Sequence, residues 1–306
     1  MTTVVVFGGT GFFGRRLVHR LAADGTRVRV AVRHPEGAPS ALPAADLAQV
    51  TFFRADVREQ TSVAASMAGA DAVVNAVSAY VEKSGVSFEA VHVQGAETVA
   101  REAVRLGVAR LVLISGLGAD PQSRSPYIRS RGRGELGVQQ AFPDATIVRP
   151  SAMFGPGDAL FGTLANLARL LPVLPLIGGG RTRLQPVYVE DVAEAVARIL
   201  ADPGTVGRTY ELAGPEVYTL RDLVRFTLRV IGKRRLLIPL PFAVAEIQAR
   251  LFELLPSPPL TTGQVDLLKA DSVAGGALPG LRELNIPPRA VEEVVPTYIS
   301  RSLSGV

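Results

Sequence analysis

The first residues able to do chemistry are three glycines near the start of the chain. The run GGTGFFG at residues 8–14 follows a short β-branched stretch, TVVVF, and leads into an amphipathic one. Gly8, Gly11 and Gly14 stand where a backbone must turn sharply, approach a pyrophosphate closely and let a helix pack on a strand. Their spacing is three residues throughout, not the tighter G-x-G-x-x-G. A helix starting near Phe12 directs its free N–H groups and positive dipole end at the phosphates. Thr10, Phe12 and Phe13 share that loop and join the expected contacts. A strand–helix turn without a ligand is the alternative, and the strand-then-helix context favours the phosphate site.

The end of the second strand chooses between dinucleotides. An Asp or Glu about 20 residues beyond the glycines holds the ribose 2′-hydroxyl of NAD. Here that place reads Val32-Arg33-His34, with no acid. Arg33 can pair with a 2′-phosphate, a charge-assisted contact of about 1.5–3 kcal/mol. NADP(H) is therefore favoured over NAD(H), although Arg33 is one arginine among many. Asp56, followed by Val57, either accepts from the adenine amino group or caps the next turn. Asn75, followed by Ala76 and Val77, either lines the cofactor or satisfies backbone groups.

The elements that must hold these residues alternate. Strands are expected at 3–7, 27–32, 50–54, 72–76, 110–115 and 145–148, and helices at 12–23, 87–106, 127–141 and 191–200. In the long helix Phe88, Val91, Gly95, Val99, Ala103 and Leu106 form one stripe. Alternation of this kind predicts an α/β fold, a doubly wound parallel sheet of the Rossmann type, with its ligand at the carboxyl ends of the strands. Residues 1–150 plus about 185–201 are expected to form the NADP(H)-binding domain. Residues 151–184 plus 202–306 are expected to form a smaller C-terminal lobe for substrate or partner. In that lobe 160–177 and 236–255 are strongly apolar. They are either lobe core or an exposed face for a hydrophobic substrate, a membrane surface or a large partner, with Arg181, Arg183, Lys233, Arg234 and Arg235 flanking. Gly155-Pro156-Gly157 reads as a structural turn, and Glu190 and Asp191 as acids favoured at a helix start.

Bulk composition narrows the classes. Of 33 basic residues only Lys83, Lys233 and Lys269 are lysine, so 30 are arginine. They are dispersed, with no run of five like charges, which argues against nucleic acid. There is no cysteine, which excludes disulfides and thiolate metal sites and leans towards a reducing compartment. His19 and His92 have no acid or cysteine at ligand spacing, so no metal is expected. Neither a signal peptide nor a membrane span is expected. The expected location is cytoplasmic, extended to the periphery of the inner membrane face.

GGTGFFG, ADV (55–57), Ser115, YIRSR (127–131), RPSAMFGPGD (149–158) and QPVYVEDVA (185–193) come in the order found in extended and atypical short-chain dehydrogenases, which the chain resembles. Over SGLGADPQSRSPYIRSRGRGE, LPLIGGGRTRLQPVYVEDVA and LTTGQVDLLKADSV it is closer still to bacterial relatives of the NADPH-holding accessory subunit of respiratory complex I. That likeness covers nearly the whole chain. It implies bound NADPH, with Tyr127 exchanging a proton with a substrate oxygen that Ser115 orients. It also implies nicotinamide-end contacts from Pro150, Ser151 and Met153. In the family a lysine four residues after the tyrosine holds the nicotinamide ribose and favours the phenolate. Here that residue is Arg131, which keeps the charge in a bulkier, differently directed fork. Three roles follow. The first is an NADP(H)-dependent oxidoreductase or epimerase-type enzyme on a small carbonyl or hydroxyl substrate, hydrophobic if the apolar lobe receives it. The second is a non-catalytic NADPH-holding subunit docking on a membrane-associated complex. The third is a redox-sensing regulator.

Overall fold

The computed structural model describes residues 2–43, 46, 48–82, 85–255 and 260–299. The chain divides into two compact units. The first runs to Pro150 and takes up Glu190–Glu211 and Gly276–Ile286. The second comprises Ser151–Val189, Leu212–Gly275 and the segment from Pro287.

The first unit begins β1 (Thr3–Phe7), α1 (Phe12–Ala23), β2 (Arg27–Val32), β3 (Val50–Arg54), α2 (Gln60–Met67) and β4 (Ala72–Asn75). It continues with α3 (Ala96–Arg105), β5 (Arg110–Ile114), α4 (Pro126–Ala141) and β6 (Thr146–Pro150). β7 (Met153–Phe154), α5 (Leu160–Leu170), β8 (Val173–Ile177), β9 (Arg183–Leu184) and β10 (Val187–Tyr188) open the second unit. The chain returns to the first through α6 (Val189–Ala201) and β11 (Thr209–Leu212). It closes the second with β12 (Tyr218–Thr219), α7 (Leu220–Val230), β13 (Leu236–Leu240), α8 (Phe242–Phe252), α9 (Thr262–Leu267) and α10 (Val291–Ile299).

The seven-stranded sheet has the order β11-β6-β5-β4-β1-β2-β3. The pairs β3–β2, β2–β1, β1–β4, β4–β5 and β5–β6 are all parallel. The order reverses between β1 and β4, the switch point of a doubly wound sheet. Side chains alternate along each strand. Val5, Phe7, Val73, Leu111, Leu113 and Ile147 join the cluster that Val63, Met67, Val99, Ala103 and Val138 complete from α2, α3 and α4. The alternate residues Val4, Val6, Val28 and Val30 are buried too. Helices therefore cover both faces, and α1 is tied to α6 by the Arg16–Glu190 and Arg20–Glu194 ion pairs.

Four sequence expectations change. β11 was placed in the second lobe but is the sheet's seventh strand; the Ile147 N–H donates to the Arg208 carbonyl at 2.9 Å. Residues 276–286 follow it into the first unit, where Glu211 N–H meets the Pro279 carbonyl at 2.9 Å and Arg198 donates to the carbonyls of Leu284 and Asn285. Residues 185–189 lie in the second unit. The expected single helix over 87–106 starts as a π-helix, Glu89–Gly95, before α3.

α4 carries Tyr127 and Arg131 and is unusually rich in glycine. Glycine inside a helix costs roughly 1 kcal/mol relative to alanine. The return is close approach, because a Cβ on Gly134 would overlap the His92 carbonyl of the π-helical turn. One turn beyond Arg131, buried Glu135 accepts from Arg149 on β6 at 3.0 Å (Nε) and 2.6 Å (Nη2). Glu135→Ala should lower the unfolding free energy by about 3 kcal/mol, since it strands a mostly buried guanidinium. A urea midpoint equal to that of the parent protein would refute the clamp.

Candidate functional site

The β1–α1 turn has the geometry its glycines predict. Gly8 adopts φ +79°, a Cβ there would press on the Ala76 carbonyl, and one on Gly14 would overlap the Gly8 carbonyl. Gly11 is the N-cap of α1 and provides no side-chain cap, so the first-turn N–H groups keep their capacity for an anion. Thr10 and Phe12 are half-buried. Phe13 is buried, and so is Val57, which packs in the hydrophobic cluster. Ala76 is half-buried and Val77 packs at the edge of the same cluster.

Arg33 and His34 are exposed past the end of β2, which the β1–β2 register (Phe7↔Ala31) sets beside the turn. Among the described residues no hydrogen bond or ion pair engages Arg33. Asp56 does not keep a free carboxylate. Arg58 Nε donates to its Oδ1 at 2.9 Å and Arg58 Nη2 to its Oδ2 at 2.5 Å, while Arg58 N–H closes the turn. The Arg58 hydrogen bonds hold the Asp56 carboxyl below the usual range, against burial, with Arg33 a smaller contributor. Asp56 Oδ1 thus closes the turn that follows β3. Asn75 likewise satisfies backbone, its Oδ1 accepting from Val77 N–H at 3.2 Å.

One residue near the turn escaped the sequence reading. Arg15 sits in the first turn of α1, where the helix dipole disfavours a cation. Its Nε is buried without a hydrogen-bond partner, and its guanidinium lies 5.9 Å from the Phe12 ring centroid. Burial, then Arg16, pushes its pKa down. A cation placed against the dipole in the first turn is the sequence signal that would have found it.

At the other end of the site Ser115 follows β5, its N–H donating to the Val148 carbonyl at 2.7 Å. Its Oγ is buried and has no partner. Tyr127 is buried in the first turn of α4. Arg131 joins the two segments. Its Nη1 donates to the Ile114 carbonyl at 3.0 Å, and its Nη2 to Ser78 Oγ at 2.6 Å and to the Tyr127 hydroxyl at 3.2 Å. Its Nε is buried and unpartnered. Burial opposes the Arg131 charge, but the Tyr127 and Tyr80 phenols outweigh it and the net shift is upward.

Tyr80, Ser78, His92 and Ser130 neighbour Tyr127 and Arg131, a meeting that the sequence does not reveal. Tyr80 stacks on Tyr127 with centroids 5.7 Å apart. The residue as a whole is half exposed, with its hydroxyl end set toward Tyr127 and Ser78. The neighbouring Tyr127 phenol, then burial, pushes Tyr80 up to about 12. Below them Ala79 N–H donates to His92 Nε2 at 3.0 Å, so that nitrogen carries no proton. Nδ1 then carries it and donates to Ser130 Oγ at 2.9 Å, which donates to the Tyr127 carbonyl at 2.8 Å. Phe88 and His92 meet the Tyr127 ring edge-on at 5.5 Å each. This relay fixes both the Ser78–Tyr80 loop and the first turn of α4.

Of the remaining predicted residues, Pro150 is buried at the end of β6, and its carbonyl accepts from Leu117 N–H. Ser151 and Met153 belong to the second unit. There Ser151 N–H donates to the Leu212 carbonyl, its Oγ lies 3.4 Å from Ser272, and Met153 pairs with Val187. Among the described residues no group of three potential metal ligands lies together, and no helix is long and apolar enough to cross a membrane.

A doubly wound sheet, a glycine turn of this spacing, and a tyrosine with a buried cation one helical turn on define a Rossmann fold of the short-chain dehydrogenase type. Residues 4–213 match the NAD dependent epimerase/dehydratase family, and the chain belongs to it. It is 36% identical over 299 residues to "NADH dehydrogenase [ubiquinone] 1 alpha subcomplex subunit 9, mitochondrial" of Arabidopsis thaliana, covering 94% of this chain and 74% of that protein. It is 35% identical over 240 residues to "Ceramide reductase" of Caulobacter vibrioides, covering 78% and 73%. Among solved structures, a UDP-glucose 4-epimerase of Thermus thermophilus, in complex with NAD, aligns over 100% of both chains with a TM-score of 0.75 at 22% identity, a likeness of fold.

His92 gives a pH prediction. Burial, then the Arg131 charge, pushes its pKa down to about 2. The unfolded chain takes up that proton near pH 6.5, whereas the folded chain does not. Stability is therefore full above about pH 6.5 and declines below it, by up to about 1.4 kcal/mol per pH unit. Urea midpoints between pH 7.5 and 5 (a window above ordinary carboxylate titration) should follow that slope and flatten in His92→Phe. An identical slope in the variant would assign the loss to other groups.

Proposed function

We propose that the first unit holds NADP(H) at the β1–α1 turn and that the chain is an oxidoreductase or epimerase-type enzyme acting on a carbonyl or hydroxyl substrate. The observation that carries this reading is the buried, unpartnered Ser115 hydroxyl on the strand end to which Arg131 ties the Tyr127 phenol. A buried hydroxyl without a partner costs about 1–3 kcal/mol, so a ligand oxygen is its natural complement.

The residues present fit a dinucleotide. The missing Cβ atoms of Gly8 and Gly14 permit the close backbone approach a pyrophosphate requires. Arg33, exposed and unengaged, and Arg15, with its orphaned Nε, would supply charge to a 2′-phosphate or the pyrophosphate. The orphaned Nε of Arg131 would bond a ribose hydroxyl. When bound, the nicotinamide supplies hydride transfer. Ser115 orients the substrate oxygen, Tyr127 exchanges a proton with it, and Arg131 stabilises charge developing on the phenol oxygen.

A second reading rests on a specific observation. Both Arg131 Nη groups are committed to protein acceptors, where the family's lysine serves the ribose. This favours an NADPH-holding subunit that does not turn over and docks on a membrane-associated complex inside the cell. The complex-subunit name of its 36% identical relative points the same way. A redox-reporting regulator is a variant of that reading.

The deciding experiment is to purify the protein without added cofactor, denature it and identify released nucleotide by mass spectrometry. Stoichiometric NADPH that resists dialysis supports the subunit reading. Reversible NADPH binding supports the enzyme, and no dinucleotide binding refutes both. Arg33→Ala should weaken NADPH by about 10- to 100-fold while leaving NADH nearly unchanged; equal losses would end the NADP assignment. Once a substrate is in hand, Tyr127→Phe should abolish turnover with NADPH affinity retained, and a variant that turns over normally would remove Tyr127 from the chemistry.

A further inference from the structure

The second unit carries a surface whose composition runs against its exposure. Nine of the fifteen large apolar side chains exposed among the described residues fall at 170–171 and 236–255. β13 pairs with β8 in parallel, Leu236↔Val173 through Leu240↔Ile177. One side of this ribbon is covered, with Leu174 and Leu176 buried. The other side presents Leu236 (63% exposed) and Ile238 (46%) beside Val173 and Pro175. A one-sided ribbon should alternate apolar and polar residues; this one is apolar on both sides.

α8 repeats the pattern. Ala245 and Ala249 pack with Ile177 and Val265 in a small core that Leu240 joins from the end of β13. Away from those alanines, Ile247 and Leu251 are 61% and 62% exposed, and Leu254 beyond the helix end is 83% exposed. A helix apolar nearly all round is a buried helix, yet nothing among the described residues covers this one.

The charges beside this face identify the occupant. From Leu223 to Ala245 there are five cations, Arg225, Arg229, Lys233, Arg234 and Arg235, and no acid. With Leu228 and Leu237 they line an open hollow of about 470 Å³. None forms an ion pair among the described residues, and Arg235 donates instead to the Ala168 carbonyl. Three of them, Lys233, Arg234 and Arg235, immediately precede β13 and its exposed Leu236. The nine exposed apolar residues are all leucine, isoleucine or valine. Protein–protein hot spots favour tryptophan, tyrosine and arginine, with leucine and valine under-represented. Aliphatic side chains beside a basic cluster suit hydrocarbon beneath anionic headgroups.

We propose that the β13–α8 face of the second unit is a membrane-surface site, seating its aliphatic side chains in an anionic bilayer while the Arg225–Arg235 cluster binds lipid phosphates. The site lies on the bilayer and does not span it, since α8 has 11 residues where a span needs about 20. The proposal is independent of whether the first unit turns over.

The test is co-sedimentation of the full chain with vesicles of phosphatidylcholine alone and of phosphatidylcholine mixed equally with phosphatidylglycerol. NADPH binding and the circular-dichroism melt serve as fold controls. Binding is expected to the anionic vesicles and to weaken as salt is raised. Neutralising two cations, Lys233→Gln with Arg234→Gln, should weaken it on the order of thirty-fold. Ile247→Ser with Leu251→Ser should weaken it with the melt unchanged. A folded parent protein that sediments with neither vesicle overturns the proposal, as does binding indifferent to both variant pairs. A concentration-dependent dimer that Ile247→Ser with Leu251→Ser dissociates, together with no vesicle binding, overturns it in favour of self-association.

Discussion

A guanidinium taken out of water costs several kcal/mol unless its N–H groups find acceptors, and Arg131 is such a group. Its acceptors come from three elements: the Ile114 carbonyl at the end of β5, Ser78 after β4, and Tyr127 one turn back on α4. The Tyr127 ring adds its face at 5.5 Å. Satisfying one buried charge therefore gathers the strand ends and helix start that make the site. The same charge reinforces the protonation state beside it. Burial, then the Arg131 charge, holds the His92 imidazole neutral, so it can accept from Ala79 and donate to Ser130. The Ala79 N–H sets the direction of each hydrogen bond in that relay.

Close backbone approach is the second constraint, and glycine meets it in two places. At the β1–α1 turn the absent Cβ atoms bring helix and strand together. In α4 the absent Gly134 Cβ brings the helix onto the carbonyl of His92 itself. His92 sits in a π-helical turn, the irregularity that often marks functional sites. The helix gives up regular hydrogen bonding there, and the imidazole gains a position from which it reaches both the Ala79 loop and α4.

Much of this was legible in the sequence, for local reasons. The strands of the first unit are short β-branched runs, and the glycine turn has the spacing its geometry needs, so 3–7, 12–23, 27–32 and 50–54 were read to the residue. Ser115, Tyr127 and Arg131 were located through family resemblance. What stayed hidden depends on distance along the chain. Tyr80 and His92 meet Tyr127 across 47 and 35 residues, and no period or propensity encodes that meeting. α2 lacks an apolar stripe, burying only Val63, Ser66 and Met67. β11 is four residues long and returns after a long excursion, so its membership of the sheet rests on pairing alone. The stretch 236–255 was apolar on sight, but whether it faced inward depended on packing partners the sequence does not name.

Replacement of the family's lysine by Arg131 invites an explanation from composition, since 30 of 33 basic residues are arginine. Drift of that kind predicts a bulkier cation in a place shaped for a smaller one, with displaced donors lacking partners. At both Nη groups the site is otherwise. Each Nη group has a protein acceptor, Ser78 and the Ile114 carbonyl being reached from different arms of the fork. An ammonium, a single point with three donors, cannot span two such acceptors and the phenol in the same way. The surroundings are thus built for a planar cation. The donor left over, the buried Nε, is the one through which a ligand can feel the substitution.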